Sequence, residues 1–292
     1  MYAADFNYLR ARSLAEAHRL LAANPGARLL AGGHSLIPLM KLRLAAPPAL
    51  IDIGRIAELR GIARGGDGLR IGALTTHAEL AASADVRQSA AALAEAASGV
   101  GDPTVRNRGT IGGNVAHADP ASDLPTVLVA LEAAVVAVGP KGERVIPAGD
   151  FFTGIMTTTL GDDEIVAAVV VPTAKRGTGS AYVKFSHPAS RYAVLGAAAS
   201  VAVNNGTCAD ARVAIGGLVP HARRAAAVER ALNGQRAEAS SFATAADRVS
   251  EDLGGDVTGD IFASAEYRAA MAPVYVKRAL AAAAARAVRT GQ

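Results

Sequence analysis

Two short stretches of this sequence, Ala31-Gly32-Gly33-His34-Ser35 and Thr110-Ile111-Gly112-Gly113-Asn114, set a Gly-Gly pair beside residues that donate hydrogen bonds. Glycine lets a backbone approach a ligand where a Cβ would clash, and N–H groups bared in this way form nests for anions. Ser35, Thr110 and Asn114 add short polar donors. A diphosphate suits such a pair, because each hydrogen bond to a charged acceptor contributes roughly 1.5–3 kcal/mol. Neither stretch fits the dinucleotide fingerprint G-x-G-x-x-G or the phosphate loop G-x-x-x-x-G-K-[ST]. Either Gly-Gly pair alone reads more readily as a tight turn than as a ligand loop. Together they point to one phosphate-bearing ligand held from two sides.

The other polar residues say less. His34 and His117 lie in or beside the glycine loops and either bond a ligand or face solvent. His18, His77 and His221 have no partner at metal-ligand spacing and read as surface or capping residues; no metal site is expected. Lys41 and Arg43 either neutralise phosphate or form a solvated face. The single cysteine, Cys208, excludes an internal disulfide and any cluster ligated by this chain alone. It reads as a small buried residue, since no basic neighbour would lower its pKa. No catalytic residue emerges. The net charge of +4 is dispersed and aromatic residues make up 4%, so the footprint of nucleic-acid binding is missing.

A chain of 292 residues exceeds the usual single domain. No apolar run approaches the ~18 residues of a membrane span, and the N-terminus lacks a secretory pattern, so a cytoplasmic protein is expected. Ser13-Leu-Ala-Glu16 has capping-box spacing and opens a helix that Asn24-Pro25-Gly26 stops. Apolar runs at 27–31 and 49–53 read as strands, which makes the first fifty or so residues a small parallel α/β unit. A second unit starts near Gly54. It carries a hairpin about Gly65-Gly66-Asp67-Gly68, a helix capped by Thr76 and Glu79, a longer helix over 86–98 and a helix over 124–131. A second hairpin about Gly139-Pro140-Lys141-Gly142 and a strand over 163–172 close it. The segment 173–181 reads as a linker. Beyond it, three strand-like segments over 182–219 precede helices at about 221–233, 237–250 and 264–288, the pattern of a separate α+β domain.

The segments "AGGHSLIPLMKLRL" and "TIGGNVAHADPASD" resemble the FAD-binding subunits of molybdenum hydroxylases. Further likeness lies in "YVKFSHPASRYAVLG", "IGGLVPHARRAAAVERAL" and "SAEYRAAMAPVYVKRAL". The motifs are most similar to those of aerobic carbon monoxide dehydrogenase medium subunits, and the likeness spans essentially the whole chain. The resemblance implies an α+β fold. A two-subdomain FAD-binding domain of the PCMH type would cover 1–176, with subdomains of about 1–54 and 55–176. A C-terminal domain over 177–292 would hold a three-stranded antiparallel sheet and a helical bundle.

Carried over from the family, Ala31, Gly32, Gly33, His34 and Ser35 would wrap the FAD diphosphate from one side. Thr110, Ile111, Gly112, Gly113 and Asn114 would wrap it from the other. Asp123 matches a FAD-binding position, where a carboxylate would accept from ribose hydroxyls or a backbone nest. Val166 matches an apolar position near the flavin. Lys184 matches a lysine beside the isoalloxazine, where a cation favours the anionic reduced flavin. Tyr192 stands where many xanthine-oxidising relatives carry Asp; a tyrosine there can stack on the flavin and argues against NAD⁺ as acceptor. The resemblance implies an oxidoreductase subunit that binds FAD non-covalently and is inactive on substrate alone. The molybdenum cofactor and [2Fe–2S] clusters would belong to a large and a small partner subunit, in a dimer of such heterotrimers. Electrons would leave to an external acceptor such as a quinone, with a peripheral membrane contact where that quinone is membrane-held. The alternative is a self-contained flavin oxidase with FAD linked to His34.

Overall fold

The computed structural model describes residues 2–66 and 68–291. In the first unit, β1 (Asn7–Arg10), α1 (Leu14–Ala23), β2 (Arg28–Leu30), α2 (Leu36–Lys41) and β3 (Ala49–Asp52) form a parallel sheet in the order β1-β3-β2. Ser13 caps α1 by accepting the Glu16 N–H, while the Glu16 carboxylate accepts from the N–H of Arg12. The stretch between β2 and β3 must return the chain to run parallel. The first glycine loop and α2 make that return.

The hairpin of β4 (Ile62–Gly65) and β5 (Gly68–Gly72) forms as expected; Asp67 at its turn lies outside the described residues. α3 (His77–Ala82) opens with both halves of the Thr76–Glu79 capping box. The single helix expected over 86–98 is two, α4 (Ala84–Ser89) and α5 (Ala91–Gly99), because Ala90 leaves the helical region with ψ of 59°. α6 (Pro103–Arg106), α7 (Ile111–His117) and α8 (Asp123–Ala130) follow. Then come β6 (Ala134–Gly139), β7 (Gly142–Pro147), α9 (Ala148–Phe151), the small hairpin of β8 (Phe152–Gly154) and β9 (Thr157–Thr158), and β10 (Ile165–Pro172). The antiparallel sheet runs β4-β5-β10-β6-β7. β10 lies at its centre, with Val169 and Val171 in one core and Ile165 and Ala167 in another, which accounts for its unbroken apolar run.

The expected linker is shorter than 173–181, because β11 (Thr178–Ser186) already begins at Thr178. β12 (Ala193–Asn204) and β13 (Thr207–Gly216) complete the three expected strands, and the two-residue β14 (Arg223–Arg224) adds a fourth edge. α10 (Ala226–Leu232), α11 (Ala239–Asp247) and α12 (Ala265–Gly291) follow. Side chains alternate along a strand. Leu195, Ala197, Ala199 and Val201 therefore face the helices of this domain, while Ala198 and Ala214 face the core that holds α5 and α8. Helices cover both faces of the sheet, and α8 is held directly against the C-terminal strands.

Candidate functional site

A cavity of about 750 Å³ opens where the first unit, the second unit and the loop before β12 meet. Its lining includes Ala31, Gly32, Gly33, His34, Ser35, Thr110, Gly112, Gly113, Asn114, Asp123, Val166 and Tyr192. These residues, up to 161 positions apart in the chain between Ala31 and Tyr192, thus share one wall system. Ile111 and Lys184 are not part of the lining. Ile111 is fully buried in the core beneath α7. Lys41 and Arg43 are exposed and do not line the cavity.

The two glycine loops are built differently. In the first, Gly33 sits at φ +77°. Among the described residues, the N–H groups of Gly32 to Leu36 have no protein acceptor. Ser35 precedes α2 without a side-chain cap bond, so its hydroxyl is also uncommitted. Five consecutive donors along a tight loop make a nest that lacks only its anion. In the second loop the donors are taken. Ile111 N–H bonds Thr75 O at 3.0 Å, Gly112 N–H bonds Ala73 O at 2.8 Å, and Gly113 N–H bonds Thr110 Oγ1 at 3.2 Å. This loop is pinned to the end of β5 and offers side chains and surface rather than bare N–H groups.

Space explains the glycines. A Cβ on Gly32 would lie 2.2 Å from the carbonyl oxygen of Arg108, so this glycine lets one loop rest on the other. Gly113 is exposed; a Cβ there would meet Thr110 Oγ1 at 2.9 Å and then only Ala31 Cβ at 3.8 Å, across the gap between the loops. Asn114 Oδ1 accepts from the Ser122 hydroxyl at 2.8 Å, which leaves its amide N–H groups for the cavity.

Asp123 opens α8 and is 4% exposed. One carboxylate oxygen accepts from the Tyr182 hydroxyl at 2.6 Å and the other from Lys184 Nζ at 2.9 Å. Lys184 also donates to Gly99 O at 3.0 Å and to Arg191 O at 2.7 Å, so all three ammonium protons are placed. Burial raises the Asp123 carboxyl, against the opposing pull of Lys184 and Tyr182. Tyr182 is pushed well above the usual phenol range by burial and by the Asp123 charge. These three side chains pin β11 to α8 and, through the Arg191 carbonyl, fix the loop carrying Tyr192. Arg191 itself holds a left-handed φ of +61°. Ala193 N–H bonds Ala121 O at 3.0 Å, a second tie from that loop to the N-terminal half of the chain. Tyr192, 45% exposed, stands at the cavity rim.

Two residues beyond the glycine motifs shape the site. Tyr182 appears in the sequence only as an ordinary strand aromatic, and its partner is 59 positions away. His77, expected at the surface or as a cap, is instead 3% exposed and lines the cavity. The capping box that ends at Glu79 turns His77 inward, because its backbone N–H bonds Gly109 O at 3.0 Å. Alternation of the buried positions His77 and Leu80 along α3 was the available signal.

The FAD binding domain in molybdopterin dehydrogenase matches residues 4–174, and the CO dehydrogenase flavoprotein C-terminal domain matches residues 180–283. The chain belongs to the FAD-binding medium subunits of the molybdenum hydroxylase family. It is 42% identical over 288 residues to the carbon monoxide dehydrogenase medium chain of Hydrogenophaga pseudoflava, covering 96% of this chain and 98% of that one. It is 38% identical to the 6-hydroxypseudooxynicotine dehydrogenase complex subunit alpha of Paenarthrobacter nicotinovorans, covering 97% and 96%. A solved carbon monoxide dehydrogenase from Hydrogenophaga pseudoflava superimposes with a TM-score of 0.94 at 43% identity, over 98% of this chain and 99% of that chain. The family cofactor is FAD. The unfilled N–H nest of the first loop and the open surface at Gly113 have the chemistry that a diphosphate needs.

Proposed function

We propose that the chain receives electrons from iron–sulfur clusters of a partner subunit and passes them, through FAD held non-covalently, to an external acceptor such as a quinone. The observation that carries this reading is the unequal cradle: five N–H groups without acceptors among the described residues and the exposed Gly113 line one cavity of about 750 Å³, whose lining also holds Tyr192. FAD, when bound, supplies a carrier that takes electrons singly and releases them in pairs.

The protein's own residues hold and orient. Gly32 to Ser35 would take the diphosphate, with Thr110, Gly113 and Asn114 closing over it. Asp123 and Val166 would border the flavin half, Lys184 would act there through Asp123, and Tyr192 would stack on the flavin at the rim. The domain boundary falls at 176/177. One cysteine cannot ligate a [2Fe–2S] cluster, so the clusters, like the molybdenum cofactor, would sit on small and large partner subunits of a dimer of heterotrimers. No helix among the described residues is long and apolar enough to cross a membrane, so contact with a membrane quinone would be peripheral. The buried, unpaired Cys208 agrees with a cytoplasmic location.

The test compares substrate-dependent flavin reduction by the isolated FAD-loaded chain and by the assembled complex. Reduction is expected in the complex alone, and robust reduction by the isolated chain would overturn the subunit reading. The oxidase alternative retains one observation in its favour, since His34 is exposed and lines the cavity. A covalent bond to that imidazole is what separates the two.

A further inference from the structure

Three of the backbone and side-chain surfaces at the loop junction form a column. Gly32 rests on the backbone of Arg108 and Gly109, and a Cβ on Gly109 would lie 2.8 Å from His77 Cδ2 and 3.0 Å from His77 Nε2. The imidazole of His77 is therefore the floor beneath the point where both glycine loops meet. Neither ring nitrogen has a hydrogen-bond partner among the described residues, and Nδ1 is wholly buried without one. Buried polar atoms are nearly always partnered; Nε2, unlike Nδ1, is not wholly buried, so it is the unpartnered nitrogen that a ligand in the cavity can reach.

We propose that His77 is a further cofactor-binding residue, donating a hydrogen bond from Nε2 to a phosphate oxygen of the FAD diphosphate. This inference rests on the FAD reading given above. A bare buried lone pair is tolerated better than a bare buried N–H, which puts the proton on Nε2 and leaves Nδ1 unprotonated. Nε2 lies on the Gly109 side, next to both loops. The ring is neutral, with its pKa lowered to about 4 by burial first and then by the neighbouring His34 and Arg106. A neutral donor suits this position. It adds a directed bond to the diphosphate without a desolvated cation in the FAD-free protein.

The experiment uses the full-length chain labelled with ¹⁵N-histidine. Addition of FAD should move the His77 Nε2 proton signal downfield, and ADP, which carries the diphosphate without the flavin, should move it in the same sense. Riboflavin should leave it in place. His77→Phe, which keeps the ring and removes both nitrogens, should raise the FAD dissociation constant about tenfold, while His77→Gln, which retains a donor, should recover part of the loss. A His77 signal that does not respond to ADP, or a His77→Phe chain that binds FAD as tightly as the parent, overturns the inference. A parent chain that binds no FAD at all overturns the FAD reading itself and the inference with it. If His77→Phe fails to fold, the response of the unaltered chain to ADP decides alone.

Discussion

Replacing Lys184 by Met should cost about 3–5 kcal/mol of stability at neutral pH, because it removes one partner of a buried ion pair. Lys184 and Asp123 side chains are only 8% and 5% exposed and stand 2.9 Å apart. With an effective dielectric of about 20, that separation corresponds to roughly 6 kcal/mol of attraction before desolvation is counted. Two carbonyls, Gly99 O and Arg191 O, lose their donor as well. The pH dependence separates this mechanism from simple loss of packing. The folded Asp123 carboxyl already lies above its ordinary 3.8, so its contribution to stability is greatest in acid and is lost as pH rises through the folded value. Without Lys184 that value rises further. The deficit should therefore be largest at pH 8 and shrink steadily as the pH falls and Asp123 takes up a proton. Urea unfolding of parent and variant at pH 8 and pH 5 measures this directly. Asp123→Asn combined with Lys184→Met should recover much of the loss, since it leaves no unpaired buried charge. A deficit below about 1 kcal/mol, or one identical at both pH values, would mean that the Lys184–Asp123 pair is not a buried ion pair of this kind.

Gly113→Val should leave the fold intact and weaken FAD about a hundredfold or more, through loss of two or so charge-assisted hydrogen bonds of roughly 1.5–3 kcal/mol each; equilibrium dialysis of parent and variant checks it. Acid precipitation of the FAD-loaded protein should leave the yellow colour in the supernatant, whereas colour retained on a peptide containing His34 would establish a covalent flavin. In the FAD-free chain, the lowered His77 pKa means that the unfolded state binds the extra proton between its ordinary 6.5 and about 4. Stability from this group is present above pH 6.5 and falls by up to about 3 kcal/mol as the pH drops through that window. His77→Phe should flatten this part of a stability–pH curve.

Much of the architecture could be read from local pattern, because most elements announce themselves locally. Ser13, Thr76 and the Gly139-Pro140-Lys141-Gly142 turn each mark a boundary with side chains a few positions apart. The break at Ala90 has no such mark. Alanine is the best helix former, yet Ala90 leaves the helical region at φ −145° and ψ 59°. The fourth strand, Arg223–Arg224, pairs with β13 through two residues and carries no strand propensity of its own. At the site, both glycine stretches stand out in the sequence and both line the cavity, yet their asymmetry was not legible. Whether Gly112 N–H is free or bonded to Ala73 O depends on where β5 ends in space. The same holds for Tyr182 and Lys184. Their meaning comes from Asp123, which the sheet and α8 bring to them from 59 and 61 positions away.

If the two loops grip the diphosphate of FAD, ligands that carry only one part of FAD differ sharply in how they compete for the cavity. FAD fluorescence should be quenched on titration with the apoprotein, saturating at equimolar ratio. ADP should displace FAD and restore the fluorescence, since it presents the same diphosphate to Gly32 to Ser35 and to Gly113. Riboflavin, which lacks phosphate, should displace little. Displacement by riboflavin but not by ADP would contradict the account, because the grip would then lie on the flavin ring and the glycine loops would be turns and nothing more.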